Sequence, residues 1–404
     1  MKKKEEKKIE KEETPKFYKI DNLIESDPTA KYFMLYGERS NGKTFQVLNI
    51  ILFGFHDNLR NIHINGYFDD GSRGGILRRY REDFNGGNAL NYWMNNFIEN
   101  KYEGNILAKR TKNKWNTIKY IQRKFYLAYV DPLDEKNNRT DPNPFCYTMS
   151  LSEDEHNKGG GYANCNNLLF DEFIARGYYL PNEFTSFMNT ISTIVRADDK
   201  LKIFMCGNTI NRYCSYFDDM GLYKIKNQRK GTIDVYQFGE SGDLRVAVEY
   251  TDSPSKKKKS DIYFAFDNPK LKMITTGEWE IALYPHLPKS YFVSDILYMY
   301  FVNFEDEILQ CEIVYVNHEK EAPVLFTYIH RKTTPIKDDD KYLVYQKEYS
   351  PKENYSRKLN HPKNPIEQKC WRFFQTEKVF YQDNTVGEVM RNYLMWCHTD
   401  DMEK

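Results

Sequence analysis

The stretch from Tyr32 to Phe53, YFMLYGERSNGKTFQVLNIILF, decides the fold. Tyr32 to Tyr36 form a short apolar run of β type, ended by Gly37. From Phe45 to Phe53 the large apolar side chains recur at helical spacing. Strand, glycine-bearing turn and helix together open an α/β unit, in which helices pack back on a parallel sheet. Two more runs extend the pattern. Asn167–Phe170 ends in Asp171 and Glu172, and Leu201–Cys206 ends in Gly207, Asn208 and Thr209. Between them, Pro181, Asn182 and Glu183 open a helix to about Val195, with proline and an acid in its first turn. The expected fold class is α/β, a parallel sheet with helices on both faces.

Within the first stretch, Gly37, Glu38, Arg39, Ser40, Asn41, Gly42, Lys43 and Thr44 match G-x-x-x-x-G-K-[ST]. The two glycines let the backbone curl so that its N–H groups face phosphate oxygens, at the positive end of the following helix. Lys43 can reach β- and γ-phosphates, and the Thr44 hydroxyl can ligate Mg²⁺. A chance match in a chain of this length is on the order of 1%. ATP with Mg²⁺ is therefore the expected ligand pair. Asp171, after Leu168-Leu169-Phe170, fits the acid that holds the metal at a strand end. Glu172 can orient or deprotonate an attacking water, which hydrolysis needs and transfer to a bound acceptor does not. An acidic strand end beside solvent is the plainer reading of the same pair. Asn167 is unusual, since a strand of this kind normally has an apolar residue there. Asn208 and Thr209 fit a γ-phosphate sensor, and they equally fit a turn cap.

Composition narrows the classes of function. The chain has 404 residues, with Lys plus Arg 59 against Asp plus Glu 58, for a net charge of +1. That excludes a polybasic protein held to nucleic acid by global charge, but not a local basic patch. Aromatic residues make up 16% and can build a core despite the modest aliphatic content. The longest apolar stretches, Val47–Phe55 and Ile296–Val302, fall short of the roughly 20 residues that cross a bilayer. The N-terminus, MKKKEEKK, has no apolar core behind its charges and does not read as a secretory signal. Seven cysteines without a C-x-x-C argue against a disulfide framework or a zinc ribbon. The expectation is a soluble protein of a reducing compartment.

Residues 1–16 are nearly all charged and read as a disordered tail. Residues 17–222 read as the nucleotide-binding domain and 223–289 as a polar linker region containing Lys256, Lys257, Lys258 and Lys259. Residues 290–404 read as a β-rich domain, with runs at Tyr291–Phe304, Ile308–Val316 and Pro323–Ile329 and a closing helix around Leu394–Cys397.

The ordered motifs resemble the DNA-encapsidation ATPases of φ29-type short-tailed phages, related to large terminase motors. The resemblance runs from Phe17-Tyr18 through Gly37–Thr44, Leu77-Arg78-Arg79-Tyr80 and Phe170-Asp171-Glu172-Phe173-Ile174 to Pro181-Asn182-Glu183 and Arg196. It implies an ASCE-type P-loop NTPase domain and a homo-oligomeric ring, typically a pentamer. It places the protein in the host cytoplasm and transiently at the portal vertex of the procapsid, driving double-stranded DNA inward by ATP hydrolysis. Partners implied are double-stranded DNA, further copies of the chain and the portal or connector protein, with a packaging RNA left open and no membrane.

By position, Arg196 matches the arginine finger offered to the neighbouring site. As a bare residue, it is a cation beyond a helix end, where dipole capping also accounts for it. Lys158, in the glycine-rich stretch His156–Gly161, aligns with a lysine of the active interface and equally reads as a surface lysine. Arg78 and Arg81 match basic positions at the DNA path or subunit interface, and Arg79 can pair with Glu82 or Asp83. Lys256 and Lys257 are DNA- or partner-facing candidates, or part of a solvated charge run. DNA contact in such a motor is directed to phosphates, not bases.

The resemblance also implies an RNase H-like C-terminal domain that has lost its metal-binding carboxylates. Glu312 is the one acid in a good candidate first strand, so no two-metal constellation assembles there. The rival readings are a terminase-like motor with an active nuclease, a P-loop kinase, and an adaptor that only binds nucleotide. Segments around 57–75 and 333–369 look like additions to the family pattern.

Overall fold

The computed structural model describes residues 17–37, 42–153, 161–175, 179–180, 182–196, 200–208, 214–252, 284–285, 287, 290–305, 307–317 and 323–399. The expectations for the tail 1–16, for Glu38, Arg39, Ser40 and Asn41, and for Lys158, Pro181, Thr209, Lys256 and Lys257 lie outside the described residues.

Among the described residues, nine strands form the main path of the first sheet. They are β1 (Tyr32–Gly37), β2 (Arg73–Arg78), β3 (Thr117–Ile121), β4 (Lys124–Tyr129), β5 (Cys146–Ser150), β6 (Cys165–Asp171), β7 (Lys202–Asn208), β8 (Ile233–Phe238) and β9 (Leu244–Thr251). Their order is β8-β9-β1-β7-β6-β2-β5-β4-β3, with Arg139–Thr140 added beside β4. From β9 to β5 every pairing is parallel. Antiparallel strands extend both edges.

Every residue of β1 is buried, as a strand covered on both faces requires. Phe33 and Leu35 face Val47, Leu48 and Ile51 of helix α1 (Lys43–Phe53). Tyr32, Met34 and Tyr36 belong to the opposite layer, with Phe187, Ile191 and Ile194 of helix α2 (Glu183–Ile194). The expected parallel sheet between helices is thus its centre, while its edges are antiparallel.

One boundary differs from the sequence reading. Residues 223–289 read as a linker, yet β8 and β9 lie within that span and β9 pairs directly with β1. The segment looked like loop because β8 is an edge strand with only Tyr236 buried, so polar residues alternate through it.

The second sheet holds β10 (Ile296–Phe304), β11 (Glu307–Val316), β12 (Val324–Arg331), β13 (Leu343–Gln346), β14 (Tyr355–Ser356) and β15 (Val379–Tyr381), in the order β14-β13-β10-β11-β12-β15. β10, β11 and β12 form an antiparallel meander, and the other three strands join parallel to their neighbours. Helices α3 (Pro365–Gln375) and α4 (Asn384–Thr399) cover one face, where Tyr300, Val302, Cys311 and Ile329 meet Cys370, Val386, Val389 and Met390. The Asn364 side chain caps α3 by accepting from the N–H groups of Ile366 and Glu367, with Pro365 in the first turn. The segment 333–369 therefore supplies two strands and the start of a helix. Glu312, expected in this domain's first strand, lies on the second, because β10 precedes it.

No helix among the described residues is long and apolar enough to cross a membrane.

Candidate functional site: the carboxyl edge of the first sheet

Strand register brings the candidate residues to one edge. Gly37 stands opposite Asn208 on β7 and Thr251 on β9, Cys206 opposite Asp171, and Leu77 opposite Phe170. The carboxyl ends of β1, β7, β6 and β2 thus line up, the usual place for ligands in an open parallel sheet. Two glycines are required by this geometry. A Cβ on Gly37 would lie 2.0 Å from Thr251 Oγ1. Gly42, just before α1, has φ of 99°, a left-handed conformation that side chains resist.

Lys43 and Thr44 open α1, which leaves that helix end's N–H groups directed at the sheet edge. Lys43 is buried and its Nζ donates to the Gly37 carbonyl at 3.3 Å, so its charge spans the two ends of the loop. The Thr44 hydroxyl donates to Asp171 Oδ1 at 3.2 Å. The other oxygen of Asp171, Oδ2, accepts from Tyr92 OH at 2.8 Å and Arg78 Nη1 at 3.2 Å. Burial pushes the Asp171 carboxyl above its ordinary range, although Arg78, Tyr92 and Thr44 pull it down. A hydroxyl and a carboxylate side by side are hard oxygen donors of the kind Mg²⁺ takes with phosphates. The residues present fit that ion.

Glu172 follows at once, with φ of 57°, uncommon for a side chain of its size. Its carboxylate is half exposed and accepts from Arg78 Nη2 at 2.9 Å. Arg78 also donates to Asp83 at 3.1 Å. One guanidinium therefore holds three carboxylates; burial, the largest single effect, works against its charge, but Tyr92 and the three carboxylates together raise its pKa above the ordinary value. Arg78 was expected at a DNA or subunit surface. It is instead turned inward, its side chain 15% exposed.

Arg79 does not pair with Glu82 or Asp83. It makes a bidentate pair with Glu183, at 2.7 Å from Nε and 2.8 Å from Nη2. Arg81 is exposed and meets Glu153 at 3.1 Å. Asn208 closes β7 beside Gly37. Arg196 is exposed just past the end of α2 and makes no hydrogen bond or ion pair among the described residues.

Asn167 is fully buried, and its amide donates to the Asn65 carbonyl at 2.8 Å, which accounts for a polar residue in that strand. Sequence reasoning missed Tyr92, whose OH reaches Asp171 from a helix 79 positions away in the chain. It also missed Glu249 of β9, which accepts from Tyr18 at 2.5 Å. Neither has a local signal, since each acts through a partner far off in sequence.

No family model matches the sequence, and no curated protein matches it. Structural neighbours of the chain are phage DNA-packaging structures. The bacteriophage Phi-29 viral genome packaging motor assembly is similar at 14% identity and a TM-score of 0.49, covering 93% of this chain and 98% of that one. The Phi-28 gp11 DNA packaging motor is similar at 17% identity and a TM-score of 0.47, covering 95% and 98%. The N-terminal domain of the DNA packaging ATPase from bacteriophage phi29 is similar at 19% identity and a TM-score of 0.41, covering 59% of this chain and 97% of that one.

Proposed function

We propose that this chain is an ATP-hydrolysing subunit of a viral DNA-packaging motor. The observation behind the ATPase reading is the contact of Thr44 with Asp171, which joins the start of the phosphate-binding helix to the end of a buried strand. One strand, β7, stands between β1 and β6, which supports the reading as an ASCE-type P-loop ATPase domain. The packaging role rests on the ordered motifs from Phe17 to Arg196.

Lys43 and the N–H groups at the start of α1 bind the triphosphate. Thr44 and Asp171 would hold Mg²⁺, which when bound neutralises charge on the β- and γ-phosphate oxygens. Glu172, beside Asp171 and open to solvent, orients the attacking water and takes its proton. Arg196, solvent-facing and unpaired among the described residues, is the residue we propose enters a neighbour's site, where a guanidinium neutralises charge developing on the γ-phosphate. The proposed partners are double-stranded DNA, further copies of the chain in a ring and a portal protein.

The second sheet, a meander extended by parallel strands beside its first member, supports an RNase H-like reading of the C-terminal domain. Glu312 there is engaged by Tyr291 at 2.5 Å, Gln310 at 2.5 Å and His330 at 3.2 Å. These bonds together hold its carboxyl below its ordinary range, against burial, the largest single effect. We propose a domain without nuclease activity.

The test is phosphate release with DNA present. Glu172→Gln should lower turnover by roughly 10²–10⁴ while leaving ATP binding intact. Wild-type turnover in that variant would refute the assignment, and a phosphorylated acceptor in place of free phosphate would establish a kinase.

A further inference from the structure

We infer that Arg79 and Glu183 are positioning residues that join a subunit's own catalytic turn to the arginine it offers its neighbour. The inference rests on the roles proposed for Glu172 and Arg196. Arg79 sits just past the end of β2 and is buried, 8% exposed. Its guanidinium faces two ways. Toward β6, Nη1 donates to the Glu172 carbonyl at 3.2 Å and Nη2 to the Phe173 carbonyl at 2.9 Å. Toward α2, Nε and Nη2 grip both carboxylate oxygens of Glu183.

Glu183 is more buried still, at 4%, and its carboxylate also accepts from Tyr216 OH at 2.9 Å and the Leu180 N–H at 2.7 Å. Both charges are thus fully engaged, which fixes the orientation of each plane more tightly than one hydrogen bond could. An ion pair needing only Glu183 would not require the two carbonyl contacts. Those contacts tie the pair to the backbone that carries the catalytic acid.

Glu183 is also the first residue of α2, and Arg196 lies just beyond its last. A helix of this length spans about 18 Å. It is held along the sheet by Phe187, Ile191 and Ile194, so it moves as a rod. Glu172 sits in a left-handed turn, closed on its other side by the Phe173 N–H donating to the Cys206 carbonyl. A change in that turn when substrate binds displaces the two carbonyls held by Arg79. Arg79 draws Glu183 with it, and the far end of α2 shifts Arg196. Each subunit's nucleotide state thereby sets the aim of the arginine directed at the next.

The test places a spin label on the Arg196→Cys variant in the Glu172→Gln background, in which ATP should bind and turn over only slowly. All seven native cysteines are buried, so labelling is confined to position 196. Dilute protein is titrated with Mg²⁺ and ATP, so that only the subunit's own nucleotide acts. With Arg79 intact, the label's spectrum should shift on binding. With Arg79→Lys, the shift should fall at least fivefold at equal nucleotide occupancy.

Glu183→Gln, which keeps the side-chain shape, should weaken the shift likewise, and it decides the matter if Arg79→Lys does not fold. An undiminished shift in either folded variant overturns the lever. No shift with Arg79 intact, despite bound ATP, also overturns it but leaves the ATPase reading standing. Failure of the protein to bind ATP at all would remove that reading itself.

Discussion

Arg78 and Asp171 lie 3.2 Å apart, and the same guanidinium reaches Glu172 at 2.9 Å. A side-chain cation thus rests on both the proposed metal ligand and the proposed catalytic acid. Arg78→Ala should free Asp171, so that Mg²⁺ half-saturation with ADP present falls roughly ten- to hundredfold, the scale of one charged hydrogen bond. Turnover should fall at the same time, because Glu172 loses the group that orients it. A magnesium titration followed by nucleotide fluorescence checks this, and unchanged metal affinity would show that Arg78 does not compete for Asp171.

Thr44→Val and Asp171→Asn each remove a hard oxygen from the same place. Both should weaken Mg²⁺-dependent ATP binding by at least about tenfold, the order of one charge-assisted contact. Metal-free nucleotide binding, which depends on Lys43 and the start of α1, should persist. Calorimetry with and without chelator separates the two.

The candidate site was legible where the proposed chemistry demands fixed local spacing. Gly37, Gly42, Lys43 and Thr44 must stand in one short stretch to curl round a phosphate, and Asp171 with Glu172 must follow an apolar strand. What escaped the sequence reading depends on distant partners. Arg78 past a strand reads equally well as a DNA contact, until a carboxylate 93 positions on is seen beside it. Glu183 reads as an acid favoured by the helix dipole, but its partner Arg79 lies 104 positions away. β8 was hidden for a different reason, since an edge strand lacks the continuous apolar run that announced β1.

Phe170, fully buried on β6 in the layer beneath α2, has ring neighbours Phe187 at 5.2 Å and Tyr216 at 5.5 Å. Phe170→Ala should lower unfolding free energy by about 3–5 kcal/mol. Urea denaturation measures it, and a loss under about 1 kcal/mol would mean the layer beneath α2 collapses to fill the gap.

Lys202 gives a pH signature away from the site. Burial lowers its pKa from 10.5 to about 8, with Lys31 adding to the shift and Asp27 opposing it. Its Nζ donates to the carbonyls of Pro28 and Ala30. Between about pH 8 and 10.5 the unfolded chain holds a proton that the folded chain has released, so stability from this group rises with pH across that window. Lys202→Met should flatten the rise in chemical-denaturation midpoints measured across it. An unaltered slope would show that the ammonium is not desolvated.

The most direct test of the central claim is single-turnover phosphate release from the assembled protein on double-stranded DNA, comparing wild type with Arg196→Ala. A site completed by a neighbouring subunit predicts release slower by roughly 10³–10⁵, with ATP still bound and with wild-type turnover dependent on assembly and DNA. Full turnover by a dilute monomer, indifferent to DNA and to loss of Arg196, would contradict it.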